Sequence, residues 1–475
     1  MKISIACLSP AGRLGVGLLL ASLAFPVAAQ ERPVAFVNAV VHPVAGGGKD
    51  VPPIERGYVV VQGGKIKDVG AMPASFTPPA GATVIDCAGK TIIPGLVDTH
   101  NHIGGIGAAD SSATIQPGVR VSDSVNPFDS GFRRAVSGGL TTLNIMPGSG
   151  HLLSGQTIYV KLRMKDGKPA RTVEDLAVRA LEDDTRGWKA GEIMGGIKMA
   201  NGTNPMRDPP FAGTRGKAAA MVREQYIKAQ EYREKWEQYD AKVAAAKDDE
   251  ARAKVQRPAV DLNMEALGEV LKGKRIVHHH THRADDIATV LRLARDFRYR
   301  VVLHHVSEAW KVAEEIKKAQ DEGIVLGCSV ILIDSPGGKL EAADLIMRTG
   351  AALQAAGAQF SYHTDDWITD VRLFLRMAAL GVRNGVTEAM AIRSLTLSGA
   401  EQLDLQSRVG SLEPGKDADL VVLSGKPFSV YTKVEQTWVE GQKVFDRSIP
   451  EHRLYQTGGY GAGHDQQPYF CCYGQ

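Results

Sequence analysis

Residues 91–105 read Thr-Ile-Ile-Pro-Gly-Leu-Val-Asp-Thr-His-Asn-His-Ile-Gly-Gly. The apolar run Ile92, Ile93, Leu96 and Val97 predicts a buried strand, and it ends in His100 and His102. Residues i and i+2 of a strand point to the same side, so both imidazoles project together from its C-terminal end. Neutral imidazole is a common metal ligand, and two on one face make half a site. A lone His-x-His is as often a pair of ordinary polar residues at a strand-to-loop junction, so the rest of the chain decides.

Residues 92–406 alternate strand-like apolar runs with helical stripes. Strand candidates lie at 96–102, 140–146, 157–162, 193–198, 275–282, 301–306, 324–330 and 359–365. Ile287, Val290, Leu291, Ala294 and Phe297 recur with the helical period of 3.6. Eight strands with interleaved helices predict an α/β fold, a (β/α)8 TIM-type barrel. Residues 215–256 interrupt the alternation. They are highly charged, with Val222, Tyr226, Ala229, Tyr232, Trp236, Tyr239 and Val243 at helical spacing. They predict a helical insertion, packed on the outside or serving as a lid. Residues 30–91 and 407–450 read as short strands with turn signals such as Gly63-Gly64, predicting a small β-sandwich domain built from both chain ends. Residues 451–475 read as a loosely structured C-terminal tail.

Residues 1–29 read as a signal peptide. Lys2 and Arg13 supply positive charge, 15–27 is apolar, and Val27-Ala28-Ala29 offers small residues for cleavage. The expected location is periplasmic or secreted, with no membrane association after cleavage. The formal charge is +3 and falls to +1 without Lys2 and Arg13, which gives no electrostatic argument for nucleic acid or a membrane surface. Five cysteines are too few for a disulfide framework. Cys87 and Cys328 read as inert core, and Cys471 and Cys472 have no functional reading. A small-molecule or short-peptide substrate is the expected partner, and a homo-oligomer is compatible with the sequence.

In such a barrel the active site lies at the C-terminal strand ends. Most of the chain's 13 histidines fall there. The fifth strand holds His278-His279-His280-Thr281-His282, the sixth ends in His304-His305, and the eighth ends in His363-Thr364-Asp365-Asp366. Random placement is a poor explanation for that clustering.

With these residues in place the chain resembles the amidohydrolase superfamily across residues 55–445. The resemblance rests on His100 and His102 after PGLVDTH, on histidines ending strands five and six, on an aspartate ending strand eight, and on GSLEPGKDADLVVL at 410–423. The segments at 138–150, 196–205 and 282–287 look most like its imidazolonepropionase-like branch. The resemblance implies a metal site of His100, His102, Lys198, His280, His305 and Asp365, with Asp365 and His282 as catalytic groups. It also implies one or two divalent cations, Zn²⁺ before Mn²⁺, Fe²⁺ or Co²⁺. Lys198 is either a carboxylated bridge between two cations or a cation that binds a substrate carboxylate. His304 stands where relatives more often carry an acidic residue.

The expected chemistry is hydrolysis of a C–N bond in an amide, a cyclic amide or a peptide by a metal-activated hydroxide. Asp365 would orient the water, take its proton and pass it to the leaving nitrogen. The alternatives are an X-Pro or X-Arg type dipeptidase, and a deaminase or esterase using the same site. A non-catalytic binding protein is disfavoured, because decay would have deleted ligands.

Overall fold

The first strand at the centre forms over Leu96–Asn101, every residue buried, and delivers His100 near its end. The computed structural model describes residues 32–458 apart from 48–50, 108–109, 179–180, 183–191, 194, 334–338 and 367. The leader at 1–29 and Cys471–Cys472 lie outside the described residues. Among the described residues no helix is long and apolar enough to cross a membrane.

The remaining central strands are Leu140–Ile145, Leu153–Gln156 with Ile158–Lys161, Ile197–Ala200, Val277–Thr281, Val301–His305, Val325–Val330 and Phe360–Tyr362. They pair as a six-stranded sheet from 153–156 to 360–362 and a three-stranded sheet of 96–101, 140–145 and 158–161. Hydrogen bonds also pass from Asp365 N to His100 O (3.0 Å) and between the Thr99 and Ser329 hydroxyls (2.6 Å). These bring the last strand of one sheet beside the first strand of the other. From Ile197–Ala200 to Phe360–Tyr362 each strand runs parallel to the next.

The third strand departs from the all-parallel expectation. Residues 153–161 run antiparallel to both neighbours, pairing Ile158 with Ile145 and Gln156 with Ile197. The reason is chain length. Only residues 146–152 separate it from the second strand, whereas a parallel return needs about a dozen or more. The strand breaks at Thr157, whose hydroxyl accepts from Gly196 N at 2.9 Å. The fourth strand also differs from expectation: it starts at Ile197, so Lys198 sits near its beginning and not at its end.

Both chain ends build one eight-stranded sheet. It takes five strands between Val34 and Pro94, then Leu420–Leu423, Val434–Val439 and Gln442–Asp446. Val421 pairs antiparallel with Ile93, so the two ends meet in the middle of the sheet. Gly63 and Gly64 have φ of 58° and 72°, which a tight hairpin requires of both central residues. The expected loose tail is instead a helix, Pro450–Thr457, as far as the described residues reach. Pro450 stands at its first turn, where a missing N–H costs nothing.

The insertion forms a helix over Arg215–Ala245 and a short one over Asp249–Ala253. Thr214 caps the first by accepting from Lys217 N. Ala218, Val222, Tyr226, Ala229 and Trp236 are its buried face. Tyr226 stacks on Phe297 and Tyr299 with ring centroids 5.0 and 5.1 Å away. The helix therefore packs on the outer helical layer.

A buried charge cluster fastens the third strand to the other sheet. Lys161 is fully buried, with Nζ 2.7 Å from Asp417, 3.0 Å from Asp419 and 3.1 Å from Glu440. Burial alone would raise the Asp417 carboxyl. The charge and hydrogen bond of Lys161, with Lys65 and Arg408, outweigh it and hold the group at about 2. A depressed carboxylate contributes stability that is fully present above its unfolded value of roughly 4 and is lost as pH falls towards 2. On the order of 2 kcal/mol is expected to disappear across that window. Urea unfolding near pH 5 and near pH 2.5 should show a smaller acid loss in Asp417→Asn than in the parent. Equal losses would remove Asp417 from the account.

Candidate metal centre

The site residues come from five strand ends or starts, brought to one place by register. Ala200 pairs with His280, His280 with His304, and Thr281 with His305. His278, His280 and His304 then share one face, because neighbours in register point the same way. By the same parity His305 would face away. It does not, because its φ is 69°, followed by 44° at Val306. Left-handed backbone at a non-glycine costs about 1–3 kcal/mol and recurs at functional sites. Here it re-aims His305 so that its ring lies 4.4 Å from that of His280, centroid to centroid. Asp365, with φ 51°, is held in the same strained region.

Three donor atoms converge at the first strand's end. His100 Nε2 lies 3.2 Å from His102 Nε2 and 3.3 Å from Asp365 Oδ1, and His102 Nε2 lies 3.0 Å from the same oxygen. Lys198 Nζ reaches up from its strand to 3.1 Å from His100 Nε2. His102 Nδ1 donates to the Met146 carbonyl at 2.7 Å, which leaves Nε2, 3.0 Å from Asp365, to carry either a proton donated to that carboxylate or, in its place, a cation. A second grouping joins His280, His282 and His305. His305 bridges the two, with Nδ1 3.8 Å from Asp365 Oδ2.

Electrostatics favour neutral ligands. Burial, and then the neighbouring charges, press His100, His280, His282 and His305 well below the ordinary imidazole range. Burial lowers Lys198 to about 7, opposed by Asp365 and helped by Lys339. Burial alone would raise Asp365, but the hydrogen bond and charge of His102, with His363 and Lys198, hold it below the usual carboxylate range.

The residues present fit a cation. His280 is 2% exposed, and neither ring nitrogen has a hydrogen-bond partner among the described residues. Its approach to Glu341 Oε1, 3.7 Å, is too long for one. Leaving such a group unpaired costs about 1–3 kcal/mol, and a cation at Nε2 would satisfy it. The crowding of His100, His102 and Asp365 around one point is resolved in the same way.

All six expected ligands are thus brought together. His282 lies at the edge: Nδ1 meets Ser307 Oγ at 2.7 Å and Nε2 meets Lys339 Nζ at 3.2 Å. Lysine can only donate, so His282 accepts at Nε2 and donates from Nδ1. Asp366 turns away and accepts from Val371 N. Arg283 pairs with Asp285 at 3.0 Å.

Several further groups line the site without a motif that marks them. His363 lies 3.2 Å from His305 and 2.8 Å from Ser329 Oγ, with its ring stacked on His100. Its signal was available, since it shares strand parity with Asp365. Asp98, fully buried and pushed up to about 6 by that burial, accepts from Thr364 Oγ1 (2.5 Å) and Asn101 Nδ2 (2.9 Å). It pins the eighth strand's end to the first. Lys339 and Glu341, 3.2 Å apart, come from beyond strand seven, and no local pattern marked them.

The sequence profile of the Amidohydrolase family matches residues 237–444. Amidohydrolase tasK of Hapsidospora irregularis is 28% identical over 421 residues, which is 83% of this chain and 40% of that protein. A dihydroorotase of Pelobacter propionicus is 29% identical over 144 residues, 30% of this chain and 29% of the enzyme. The chain therefore spans well under half the length of these curated relatives in the matched regions. The crystal structure of an amidohydrolase from Thermotoga maritima MSB8 superposes with a TM-score of 0.73 at 31% identity, covering 87% of this chain and all of that one. With that coverage and the histidine–aspartate arrangement above, the chain belongs to the amidohydrolase superfamily.

Proposed function

We propose that this protein is a metal-dependent hydrolase of a C–N bond in an amide, a cyclic amide or a short peptide. The observation that carries the proposal is the convergence of His100 Nε2, His102 Nε2 and Asp365 Oδ1 within 3.3 Å. It stands beside the partnerless buried nitrogens of His280. We also read the two central sheets as arcs of one closed barrel, and residues 1–29 as a leader that directs export.

His100, His102 and Asp365 would hold one cation and His280 with His305 a second, with Lys198 between them. Bound there, a divalent cation would supply Lewis acidity towards a carbonyl and would lower the pKa of a neighbouring water to about 7. Asp365, kept ionised, takes the proton of the attacking water and delivers it to the departing nitrogen. Lys339, partly exposed and 3.2 Å from both His282 Nε2 and Glu341, would offer a positive charge to a substrate carboxylate. That placement keeps the X-Pro or X-Arg dipeptidase reading as the second choice.

Lys198 at about 7 has a large neutral fraction at physiological pH. A neutral amine adds to carbon dioxide, forming an N–C bond, opening one C=O π bond and releasing a proton to solvent. The resulting carbamate is an anionic oxygen ligand suited to bridging two cations.

Elemental mass spectrometry of the purified protein and of Lys198→Ala tests both layers. Two equivalents of metal, falling to one or none in the variant, are expected. One equivalent untouched by the substitution would make the site mononuclear and move Lys198 to substrate binding. No metal, even after addition of Zn²⁺ or Mn²⁺, would overturn the function proposed.

A further inference from the structure

Beneath the candidate metal centre runs a column of buried polar side chains that the proposed chemistry leaves unused. Tyr159 OH lies 2.7 Å from His278 Nε2. His278 Nδ1 lies 3.0 Å from His304 Nε2. His304 Nδ1 lies 3.2 Å from His100 Nδ1. Tyr159, His278 and His304 are at most 1% exposed. Each ring uses both of its nitrogens, one upward and one downward, so the column has no branch at these atoms.

The direction of its hydrogen bonds follows from one constraint. A cation at His100 Nε2 needs the lone pair there, so the proton of the neutral ring is on Nδ1. His100 Nδ1–H then donates to His304 Nδ1, which must be bare. The His304 proton is therefore on Nε2 and donates to His278 Nδ1. The His278 proton is in turn on Nε2 and donates to the Tyr159 hydroxyl oxygen. Any single reversal places two N–H groups, or two lone pairs, face to face in a dry interior, at the cost of an unmade buried hydrogen bond. Each ring lies in a dry interior with a hydroxyl or an imidazole at both nitrogens, so one proton per ring satisfies every pair in the column.

We propose that Tyr159, His278 and His304 are positioning residues, a buried tautomer column that holds His100 with Nε2 bare towards the cation. This rests on the metal-dependent reading above. Outer partners of a ligating histidine are usually carboxylates or carbonyls, and losing them costs about 10–100-fold in metal affinity. Here the same task falls to a second imidazole, which can accept only in one of its two tautomers. The tyrosine hydroxyl at the foot of the column accepts the last of these protons and so completes the column in the direction that the cation sets.

The test is Zn²⁺ affinity of the full-length protein by competition with a chromophoric chelator, on the parent and on Tyr159→Phe, His304→Leu and His304→Asn, with near-ultraviolet circular dichroism as the check on folding. His304→Leu removes the acceptor facing His100, and a loss of about 10–100-fold is expected. His304→Asn places a carbonyl oxygen near the position of Nδ1 and should restore most of that loss. Tyr159→Phe keeps the packing, removes only the terminal oxygen, and should weaken binding in the same direction by a smaller factor; it decides the matter if His304→Leu does not fold. Folded variants that bind Zn²⁺ as the parent does, or an asparagine no better than leucine, would overturn the column while leaving the metal site standing. A parent that takes up no Zn²⁺ would instead overturn the metal reading on which the column depends.

Discussion

Asp365→Asn is expected to lower turnover by about 10²–10⁴-fold at matched metal content, the loss typical of a removed general acid–base group. Asparagine is the informative replacement. Asp365 sits at φ 51°, a conformation that Asn tolerates better than most residues, so the backbone need not move. The amide keeps an oxygen for the cation but has no lone pair basic enough to take a proton from water. The aspartate is suited to the task because His102 Nε2, 3.0 Å away, helps to hold it ionised despite burial. Turnover would be followed on a panel of N-acyl amino acids, X-Pro and X-Arg dipeptides and cyclic imides, with metal content measured on each preparation. A metal-replete Asp365→Asn protein as active as the parent would end the role assigned to this residue.

Lys161→Ala is expected to cost about 3–5 kcal/mol of stability, the range for breaking a buried ion pair from one side. Lys161 is fully buried against three carboxylates, within 3.1 Å of each. Asp417 would keep Lys65 at 2.5 Å and Arg408 at 2.8 Å. Asp419 has no such reserve. Burial already pushes its carboxyl up, Lys161 is the leading opposing charge, and among the described residues its Oδ2 has no hydrogen-bond partner. The penalty therefore falls mainly on Asp419, and the double variant Lys161→Ala/Asp419→Asn should recover part of it, a non-additivity expected of contacting groups. Exposed Lys254, paired with Glu250 at 2.7 Å, is the control, since surface pairs are worth about 0–1 kcal/mol. Denaturant unfolding measures all three. A Lys161→Ala cost no larger than that of Lys254→Ala would show that the cluster does not hold the sheets together. The strand carrying Lys161 also carries Tyr159, two residues earlier on the same side, so a loosened strand should weaken metal binding as well.

The parts of this fold legible in the sequence are those governed by local periodicity. The buried run into His100 and His102, the stripe of the helix Ala284–Phe297, and the Gly63-Gly64 turn all report on neighbours a few residues away. The ligand cluster was legible because strand ends in this class of fold share a face. Three features escaped for physical reasons. The reversal of strand three was encoded in the length of 146–152, a constraint on chain reach that side-chain pattern does not express. The placement of both His304 and His305 in one site contradicts strand alternation and depends on a strained φ that sequence does not display. Lys339 and Glu341 meet His282 and His280 only through tertiary packing across a long separation. The helix Pro450–Thr457 was missed although Pro450 marked its start, because the Gly- and Gln-rich residues after it dominated the reading.

The pairing of Val421 with Ile93 has a consequence in time as well as space. A strand made early, Val34–Val41, joins Thr91–Pro94, which waits for Leu420–Leu423. At the usual pace of translation, about 5–20 residues per second, that wait is on the order of tens of seconds. Throughout it the sheet formed near the N-terminus presents an open edge on a nascent chain, of the kind that pairs with whatever strand arrives first. The central strands are synthesised between the two halves, so their assembly must proceed while that edge stands unfilled. The last described strands thus close a gap left by the first, and a chain stalled just short of residue 420 would have its whole histidine cluster encoded and its outer sheet still open.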